Sequence, residues 1–283
     1  NIYRQKSYGK ETEGKVSLVL GAGNISSIGP MDMLYKLFVE DEVVILKTNP
    51  VNAYTGPMVE RAFAPLINRG FFAVVHGGAE VGKHLCDHDG IHTIHITGSD
   101  QTHDAIVWGG NKKQIKERKK TGTPTNERPV TSELGCVTPV FVVPGAWSDA
   151  ELDYQARQVA AMVSHNGSFN CNAAKVLVTA KNWPLRDEFI HRVKQTLACT
   201  PPRKAYYPGA ESRYETFMKK YPESLKLGEE GAEIVPWTLI PDVACKKGEY
   251  ALTNEAFCGV IADLAIDATE ADEFLDKAVA FAN

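Results

Sequence analysis

Short apolar segments alternate with segments of helical spacing along the first half of the chain, and this alternation limits the possible folds more than any other feature. Apolar runs at 16–20, 43–46, 71–75 and 93–96 have the length and composition of buried strands. Helical spacing is found at 31–39, 54–67 and 78–86, and from Ser99 through Trp108. Strands that alternate with helices predict a parallel sheet with helices on its faces. The first half is therefore expected to be a Rossmann-like unit.

The second half shows the same kind of alternation in a less regular form. A charge-rich stretch at 111–128 is interpreted as a surface loop or a helix followed by a loop, and 130–134 is expected to return to the core. Beyond it, strands are predicted at 137–143 and 175–178, and helices at 149–164, 185–197, 214–221 and 274–282. We predict the α/β fold class, with a Rossmann-like parallel-sheet domain in residues 1–134 and a second α/β domain in residues 135–283.

Composition and charge exclude several classes of function. The formal net charge of -4 gives no electrostatic reason to bind nucleic acid or an anionic membrane. No apolar run reaches the roughly 18 residues of a membrane span, and the first residues, 1–6, are polar and unlike a signal peptide. The six cysteines are scattered without a CxxC pair, so neither a disulfide scaffold nor a zinc ribbon is indicated. We predict a soluble, cytoplasmic protein.

Polar and small residues follow three of the predicted strands. Asn24 comes after the first strand, Lys47 after the second, and Gly98 and Ser99 after the fourth. Parallel sheets of this type bind ligands beyond the carboxyl ends of their strands. These residues are therefore candidates for a binding site at one edge of the first sheet.

A run of potential metal ligands needs a separate interpretation. Two of its histidines straddle the start of a predicted strand, which is a poor arrangement for shared coordination, and we predict no metal site. The run consists of His84, Cys86, His88, His92 and His95.

Cys171 stands between a small polar turn and an apolar run. The turn contains Gly167 and Ser168, and the apolar run reads as a strand that would hold the backbone rigid. A reactive thiolate needs amide dipoles or positive charge nearby, whereas an isolated cysteine beside a strand is more often a small packed residue. The residues alone leave both interpretations open.

Several segments, taken in order, resemble the motifs of the aldehyde dehydrogenase superfamily. Val130-Thr-Ser-Glu-Leu-Gly-Cys-Val-Thr-Pro139 is similar to its glutamate motif, and Asn166-Gly-Ser-Phe-Asn-Cys171 to its nucleophile motif. Residues 21–24, 44–50 and 94–99 stand where the family has its asparagine, lysine and Gly-Ser motifs. Residues 254–260 and 276–283 resemble its Glu-x-Phe segment and the helix that follows. The resemblance also implies that the amino-terminal and carboxyl-terminal parts of the family fold are not present in this chain.

The resemblance implies a role for each matching residue in catalysis. Cys171 would be the nucleophile, Asn24 would hold the oxyanion together with the Cys171 N–H group, and Glu133 would be the general base that hydrolyses a thioester. The implied reaction is oxidation of a small-molecule aldehyde to a carboxylic acid with NAD or NADP. A homodimer or homotetramer is implied as well.

The resemblance also implies which residues bind the cofactor. Lys47 would bind the adenosine ribose, and Gly98 and Ser99 the pyrophosphate at a helix N-terminus. Glu255 would bind the nicotinamide ribose, and Phe257 would pack near the nicotinamide. Many NAD-preferring members have a glutamate where this chain has Pro50, so the choice between NAD and NADP stays open.

Two alternatives stay open, and departures from the family pattern motivate the second of them. Gly23 replaces a tryptophan, Cys136 a glycine, and Ser168 and Phe169 replace Gly-Gln in the nucleophile motif. The first alternative is an acylating enzyme that passes the acyl group to coenzyme A or works in reverse as an acyl reductase. The second is an impaired nucleotide-binding pseudoenzyme.

Each candidate also has an ordinary structural interpretation. Glu133 could be a surface carboxylate at a strand end, Asn24 a turn residue and Lys47 a surface lysine whose stem is buried. Glu255 and Phe257 could serve packing alone.

Overall fold

Two sheets, one in each half of the chain, organise the fold, and the predicted α/β class is confirmed. The computed structural model describes residues 13–229 and 231–283, so the polar segment 1–6 considered above lies outside the described residues. The chain divides into two units between Gly135 and Cys136. Each unit contains one of the sheets and has its own hydrophobic core.

The first unit contains a five-stranded sheet of order β3-β2-β1-β4-β5 in which every neighbouring pair is parallel. Successive side chains of β1 point to opposite faces, so Val19 joins one buried cluster with Met33, whereas Leu18 joins another with Ile94. The strands are β1 (Val16–Leu20), β2 (Val43–Lys47), β3 (Phe72–Val75), β4 (Thr93–Gly98) and β5 (Val130–Leu134). The helices are α1 (Ile28–Phe38), α2 (Gly56–Ala62), α3 (Ala64–Ile67), α4 (Ala79–Asp87), α5 (Asp100–Val107) and α6 (Lys112–Thr121).

Two sequence predictions in this unit were wrong in detail. The helix expected at 54–67 is a 3-10 turn (Pro50–Thr55) followed by the short helices α2 and α3, with a break at Phe63. Pro65 lies in the first turn of α3, where a proline suits a helix start and cannot continue a preceding helix. The segment 130–134 returns to the core only in part: it forms the outer strand β5, in which Val130 packs against the core and three of the five side chains are exposed.

The second unit contains a sheet of order β6-β7-β10-β9-β8, parallel except for the antiparallel outer strand β8. All seven residues of β7 are buried, as expected of a central parallel strand covered on both faces. The strands are β6 (Thr138–Val142), β7 (Ala174–Ala180), β8 (Leu225–Leu227), β9 (Trp237–Ile240) and β10 (Val260–Ile266). The helices are α7 (Asp149–Ser164), α8 (Arg186–Cys199), α9 (Ala210–Lys220), α10 (Tyr250–Thr253) and α11 (Ala271–Ala282).

Candidate active site

The carboxyl edge of the first sheet gathers the candidates predicted from the strand ends. Because β1, β2 and β4 are adjacent and parallel, their carboxyl ends lie at the same edge. Lys47 is the last residue of β2, Gly98 is the last of β4, and Asn24 follows β1 after a short turn. Ser99 is the N-cap of α5, where its Oγ accepts a hydrogen bond from the Thr102 N–H at 3.2 Å.

Lys47 is a buried cation at this edge. Its side chain is 8% exposed, and burial lowers the pKa of its ammonium, an effect that Glu80 and Cys86 partly oppose. Negative charge or hydrogen-bonding oxygen atoms close to a buried ammonium stabilise its charged form. The simple reading of Lys47 as a surface lysine therefore does not describe its environment.

The turn before Asn24 explains one departure from the family pattern. A Cβ atom added to Gly23 would lie 2.7 Å from the Asn49 side chain, which is far closer than real Cβ contacts. That side chain is held in place because its Oδ1 accepts a hydrogen bond from the Val51 N–H at 3.0 Å. The turn is also fixed by Asn52, whose Nδ2 donates to the Ala22 carbonyl at 2.8 Å. A larger residue at position 23 would therefore force the Asn49 side chain to move.

Glu133 lies on the outer strand of the first sheet. It is paired in register with Thr97 of β4, and its side chain is exposed. The position is compatible with a carboxylate that contacts water and equally with a surface residue. Its role as a general base stays a prediction.

Cys171 follows a turn with an unusual backbone. Three consecutive residues have left-handed φ angles: 53° at Asn166, 65° at Gly167 and 68° at Ser168. Only glycine adopts this region without steric cost, and each of the other two costs on the order of 1–3 kcal/mol. Such a turn persists only where surrounding contacts fix it. Cys171 itself is partly exposed.

Side chains around the turn supply some of those contacts. Asn166 Nδ2 donates to the Phe169 carbonyl at 3.3 Å and to Asn170 Oδ1 at 3.2 Å. Asn170 Nδ2 in turn donates to the His165 carbonyl at 3.3 Å. The asparagines of the nucleophile motif therefore brace the backbone that leads to Cys171.

Two side chains near β6 contact the carbonyl of Cys171. Thr138 Oγ1 donates to it at 3.1 Å, and Cys136 Sγ lies 3.6 Å from it. The Cys136 sulfur is also 2.9 Å from Thr138 Oγ1. Cys136, where the family has glycine, thus lies beside the backbone of the candidate nucleophile.

Sequence reasoning missed Lys175, which is buried in β7. Its Nζ donates to Ser168 Oγ at 2.7 Å, to the Ser168 carbonyl at 3.1 Å and to the Cys258 carbonyl at 3.3 Å. Burial lowers its pKa to about 8, although Cys258 and Glu255 act in the opposite direction. The signal in the sequence was a lysine inside an apolar run, a position that needs hydrogen-bond partners.

Glu255 and Phe257 occupy a segment that is held by Arg213, another residue that sequence reasoning missed. The Arg213 guanidinium donates from Nε to the Ala256 carbonyl at 3.0 Å and from Nη2 to the Phe257 carbonyl at 3.4 Å. It also lies 5.8 Å from the centre of the Phe257 ring. Phe257 has a φ of 43°, so this segment too contains a left-handed residue.

An aromatic cluster joins this segment to the nucleophile turn. Phe169 is buried, and the centre of its ring lies 5.9 Å from that of Phe257, 5.9 Å from that of Tyr207 and 4.9 Å from that of Tyr206. The Tyr206 hydroxyl donates to Asn166 Oδ1 at 3.2 Å. Phe169, which replaces the family's glutamine, therefore serves the packing of the second unit.

The histidine and cysteine run near α4 forms other contacts. His84 and His88 meet edge to face with ring centres 5.9 Å apart, and His95 contacts Thr131 Oγ1 at 2.8 Å and Asp32 at 3.5 Å. Within residues 13–229 and 231–283, no group of three or more His, Cys, Asp or Glu residues is placed to hold a metal ion. No helix in the part of the chain that the structure describes is long and apolar enough to cross a membrane.

Comparison with known proteins identifies the family. The model described as "Aldehyde dehydrogenase family" matches residues 24–207, which is more than half of the chain. This chain belongs to the aldehyde dehydrogenase family. The resemblance found in its motifs is thus confirmed. The matched range begins at Asn24 and includes Cys171, whereas Glu255 and Phe257 lie beyond it.

Individual members of the aldehyde dehydrogenase family are similar to part of this chain. The 4-trimethylaminobutyraldehyde dehydrogenase A of Danio rerio is 28% identical over 155 residues, which are 53% of this chain and 27% of that protein. The chain is thus similar to a limited part of that relative.

Solved structures of the family share the fold. An NAD-dependent aldehyde dehydrogenase from Sinorhizobium meliloti aligns with a TM-score of 0.70 at 19% identity, covering 95% of this chain and 52% of that one. An NADP-dependent glyceraldehyde-3-phosphate dehydrogenase from Bacillus halodurans C-125, complexed with NADP, aligns with a TM-score of 0.71 at 19% identity, covering 95% and 58%. The chain therefore spans a little over half the length of these structural relatives.

Proposed function

We propose that this chain carries the cofactor-binding and nucleophile-bearing parts of an NAD(P)-dependent aldehyde dehydrogenase. The enzyme oxidises a small-molecule aldehyde to a carboxylic acid through a thioester on Cys171. The observation that supports this most directly is the partly exposed Cys171 thiol, which follows a braced left-handed turn in a chain of this family. Self-association into a homodimer or homotetramer and a cytoplasmic location belong to the same proposal.

The carboxyl edge of the first sheet suits a dinucleotide. The N-terminus of α5 offers backbone N–H groups and a positive dipole end to a pyrophosphate. A Cβ atom added to Gly98 would have only the Ile96 side chain near it, at 3.5 Å, so little crowds this end of β4. Lys47 would bind the adenosine ribose. NAD and NADP both stay candidates, and the two structural relatives described above include one named for each cofactor.

The nicotinamide, when bound, would accept the hydride that leaves the aldehyde carbon. We assign Glu255 to the nicotinamide ribose and Phe257 to packing beside the ring. Arg213 supports this assignment because it holds the backbone of the same segment through two carbonyl groups.

The protein residues divide the chemistry into addition and hydrolysis. The Cys171 thiolate adds to the aldehyde carbon, and the Asn24 amide and the Cys171 N–H group stabilise the oxyanion that forms. Loss of hydride from this adduct leaves a thioester. Glu133 then takes a proton from water, the resulting hydroxide attacks the thioester carbon, and the Cys171 thiolate departs from the acid.

A nicotinamide absorbance assay on the full-length protein tests this function. NAD and NADP are supplied separately with short, long and aromatic aldehydes, each with and without coenzyme A. We expect turnover without coenzyme A. A single burst that turns over only after coenzyme A is added would establish the acylating alternative, and dinucleotide binding with no reduction of the cofactor would favour the pseudoenzyme.

The variant Cys171→Ala tests the nucleophile. We expect it to lower kcat by at least about 1,000-fold, because no other group replaces the thiolate, while the Kd for the dinucleotide stays close to that of the parent. Cys199→Ala is the matched control, since Cys199 is an exposed cysteine at the end of α8. Unchanged turnover in the Cys171→Ala protein would contradict the assignment.

A further inference from the structure

The ammonium of Lys175 is the point at which two strained segments of the second unit meet. Its side chain is 4% exposed, and its three hydrogen bonds go to Ser168 Oγ, the Ser168 carbonyl and the Cys258 carbonyl. An ammonium has three N–H donors, so all of its donors are used. The charge is therefore committed to backbone and hydroxyl oxygens on two segments that are distant in sequence.

On one side, Lys175 holds the turn that precedes Cys171. Ser168 is fully buried and ends the run of three left-handed residues that begins at Asn166. Two of its oxygens are occupied by the ammonium. Cys171 comes three residues later, so the ammonium holds the backbone that leads to the thiol.

On the other side, Lys175 holds the segment that carries Glu255 and Phe257. The Cys258 carbonyl that it binds belongs to the residue directly after Phe257, which is itself left-handed. The ring contact between Phe169 and Phe257 joins the same two segments a second time. The nucleophile turn and the cofactor-side segment are therefore fixed as one piece.

We propose that Lys175 is a positioning residue that locks the Cys171 turn to the Glu255–Phe257 segment. Through this link, dinucleotide binding at the segment changes the reactivity of the Cys171 thiol. The inference rests on the proposed function for the identity of the nucleophile and of the cofactor-binding residues. It adds a mechanical link between them, made by a residue that contacts neither the aldehyde nor the cofactor.

The test compares Lys175→Met with the parent and with Lys181→Met, which removes an exposed lysine just beyond the end of the same strand. The first readout is the rate at which iodoacetamide alkylates Cys171 in the protein without cofactor, followed by peptide mass mapping. We expect Lys175→Met to raise this rate about threefold or more, because the released turn exposes the partly buried thiol. We expect kcat for the aldehyde to fall by about tenfold or more, because the thiol is no longer held in place.

The second readout is the effect of bound dinucleotide on the alkylation rate of Cys171. We expect NAD or NADP, whichever the parent binds, to change this rate in the parent and in Lys181→Met, and to have no effect in Lys175→Met. Equal alkylation rates and an equal cofactor effect in the parent and the folded Lys175→Met protein would overturn the proposal. The alkylation readouts need no turnover, so a parent that does not oxidise aldehydes would defeat the proposed function without deciding this inference.

A milder variant keeps the test decisive if Lys175→Met does not fold. Ser168→Ala removes only the oxygen that accepts the 2.7 Å hydrogen bond and leaves both carbonyl contacts in place. We expect the same direction of change in alkylation rate with a smaller magnitude. A folded Ser168→Ala protein with the alkylation rate and cofactor effect of the parent would overturn the proposal.

Discussion

At Lys175, burial and the nearby Cys258 and Glu255 act on the pKa of one ammonium in opposite directions. Removal from water disfavours the charged form and lowers its pKa from 10.5 to about 8. The nearby Cys258 and Glu255 raise the pKa and limit that effect, whereas the nearby Arg213 lowers the pKa further. The residue therefore remains mostly protonated at neutral pH but loses its proton within a mildly alkaline range.

This lowered pKa predicts a pH dependence of stability. Between about pH 8 and pH 10.5 the unfolded chain keeps the proton on Lys175 while the folded chain loses it, so the unfolded state binds more protons and raising the pH favours folding. Below about pH 8 both states are protonated and the contribution is constant. We expect the free energy of unfolding of the parent to rise relative to Lys175→Met by up to about 3 kcal/mol across this window.

Urea denaturation of both proteins at several pH values between 7.5 and 10 measures this difference, since titrations common to both proteins cancel. A difference that stays constant, or that moves in favour of Lys175→Met as the pH rises, would contradict the prediction.

Two other thiols contrast with the candidate nucleophile. Burial raises the pKa of Cys86 and of Cys258 to about 11 in each case. Both thiols therefore stay protonated at neutral pH and pack as small apolar groups. Cys171 differs from these two buried cysteines because it is partly exposed to solvent.

At the scale of elements, a buried ion pair joins α8 to the second sheet. Arg186, the first residue of α8, donates from Nη2 to both carboxylate oxygens of Asp263 on β10, at 2.7 and 2.8 Å, and from Nε to Thr179 Oγ1 on β7 at 2.9 Å. Asp263 is 4% exposed, and burial raises its pKa against the opposing effect of Arg186. The pair fixes the start of the helix against two central strands.

Breaking this pair is expected to be costly. We expect Asp263→Ala to lower the free energy of unfolding by about 3 kcal/mol, because the largely buried Arg186 guanidinium loses both hydrogen bonds to Asp263 and keeps only the exposed Asp187 as an ionic partner. Lys277→Ala is the control, since it removes an exposed helical pair with Glu273 and should cost no more than about 1 kcal/mol. Chemical denaturation measures both, and equal losses in the two variants would contradict the prediction.

Elements whose signals are local could be predicted from the sequence, and those fixed by distant contacts could not. Helix α7 was predicted at its true bounds because Ser148 and Glu151 form a capping box at its start. Strands β8, β9 and β10 were missed because two of them are only three or four residues long, and β10 carries the buried Asp263 in its apolar run. Helix α9 begins earlier than predicted, directly after the left-handed Gly209.

The same distinction between local signals and distant contacts applies to the candidate site. Motifs drew attention to Cys171 and to the residues at the strand ends. They did not indicate Lys175 or Arg213. A lysine inside an apolar run signals a need for hydrogen-bond partners, but it does not identify them, and the partners of these two side chains include carbonyl groups 83 and 43 residues away in sequence. Every residue has a backbone carbonyl group, so the amino-acid sequence does not show which of these groups will accept a hydrogen bond from a distant side chain.

At the scale of the whole molecule, the second unit has the means to fold alone. Its buried cluster consists of residues from 142 to 278 and includes Leu177, Phe189 and Trp237. We expect residues 136–283, produced as a fragment, to unfold cooperatively in urea when followed by tryptophan fluorescence, because Trp183 and Trp237 are buried in this cluster. The variant Leu177→Asp, which places a charge in the fully buried β7, should abolish the transition. A fragment without a cooperative transition would contradict the prediction.

The sequence separation of 83 residues between Lys175 and Cys258 determines when their contact can form during protein synthesis. The ammonium joins β7 to the Cys258 carbonyl, and β10, which follows that residue, lies between β7 and β9 in the finished sheet. A ribosome makes the Cys171 turn long before it makes β10. The nascent chain therefore emerges with the turn before Cys171 still without its Lys175 link to the Cys258 carbonyl, and that link forms only after residue 258 has been made.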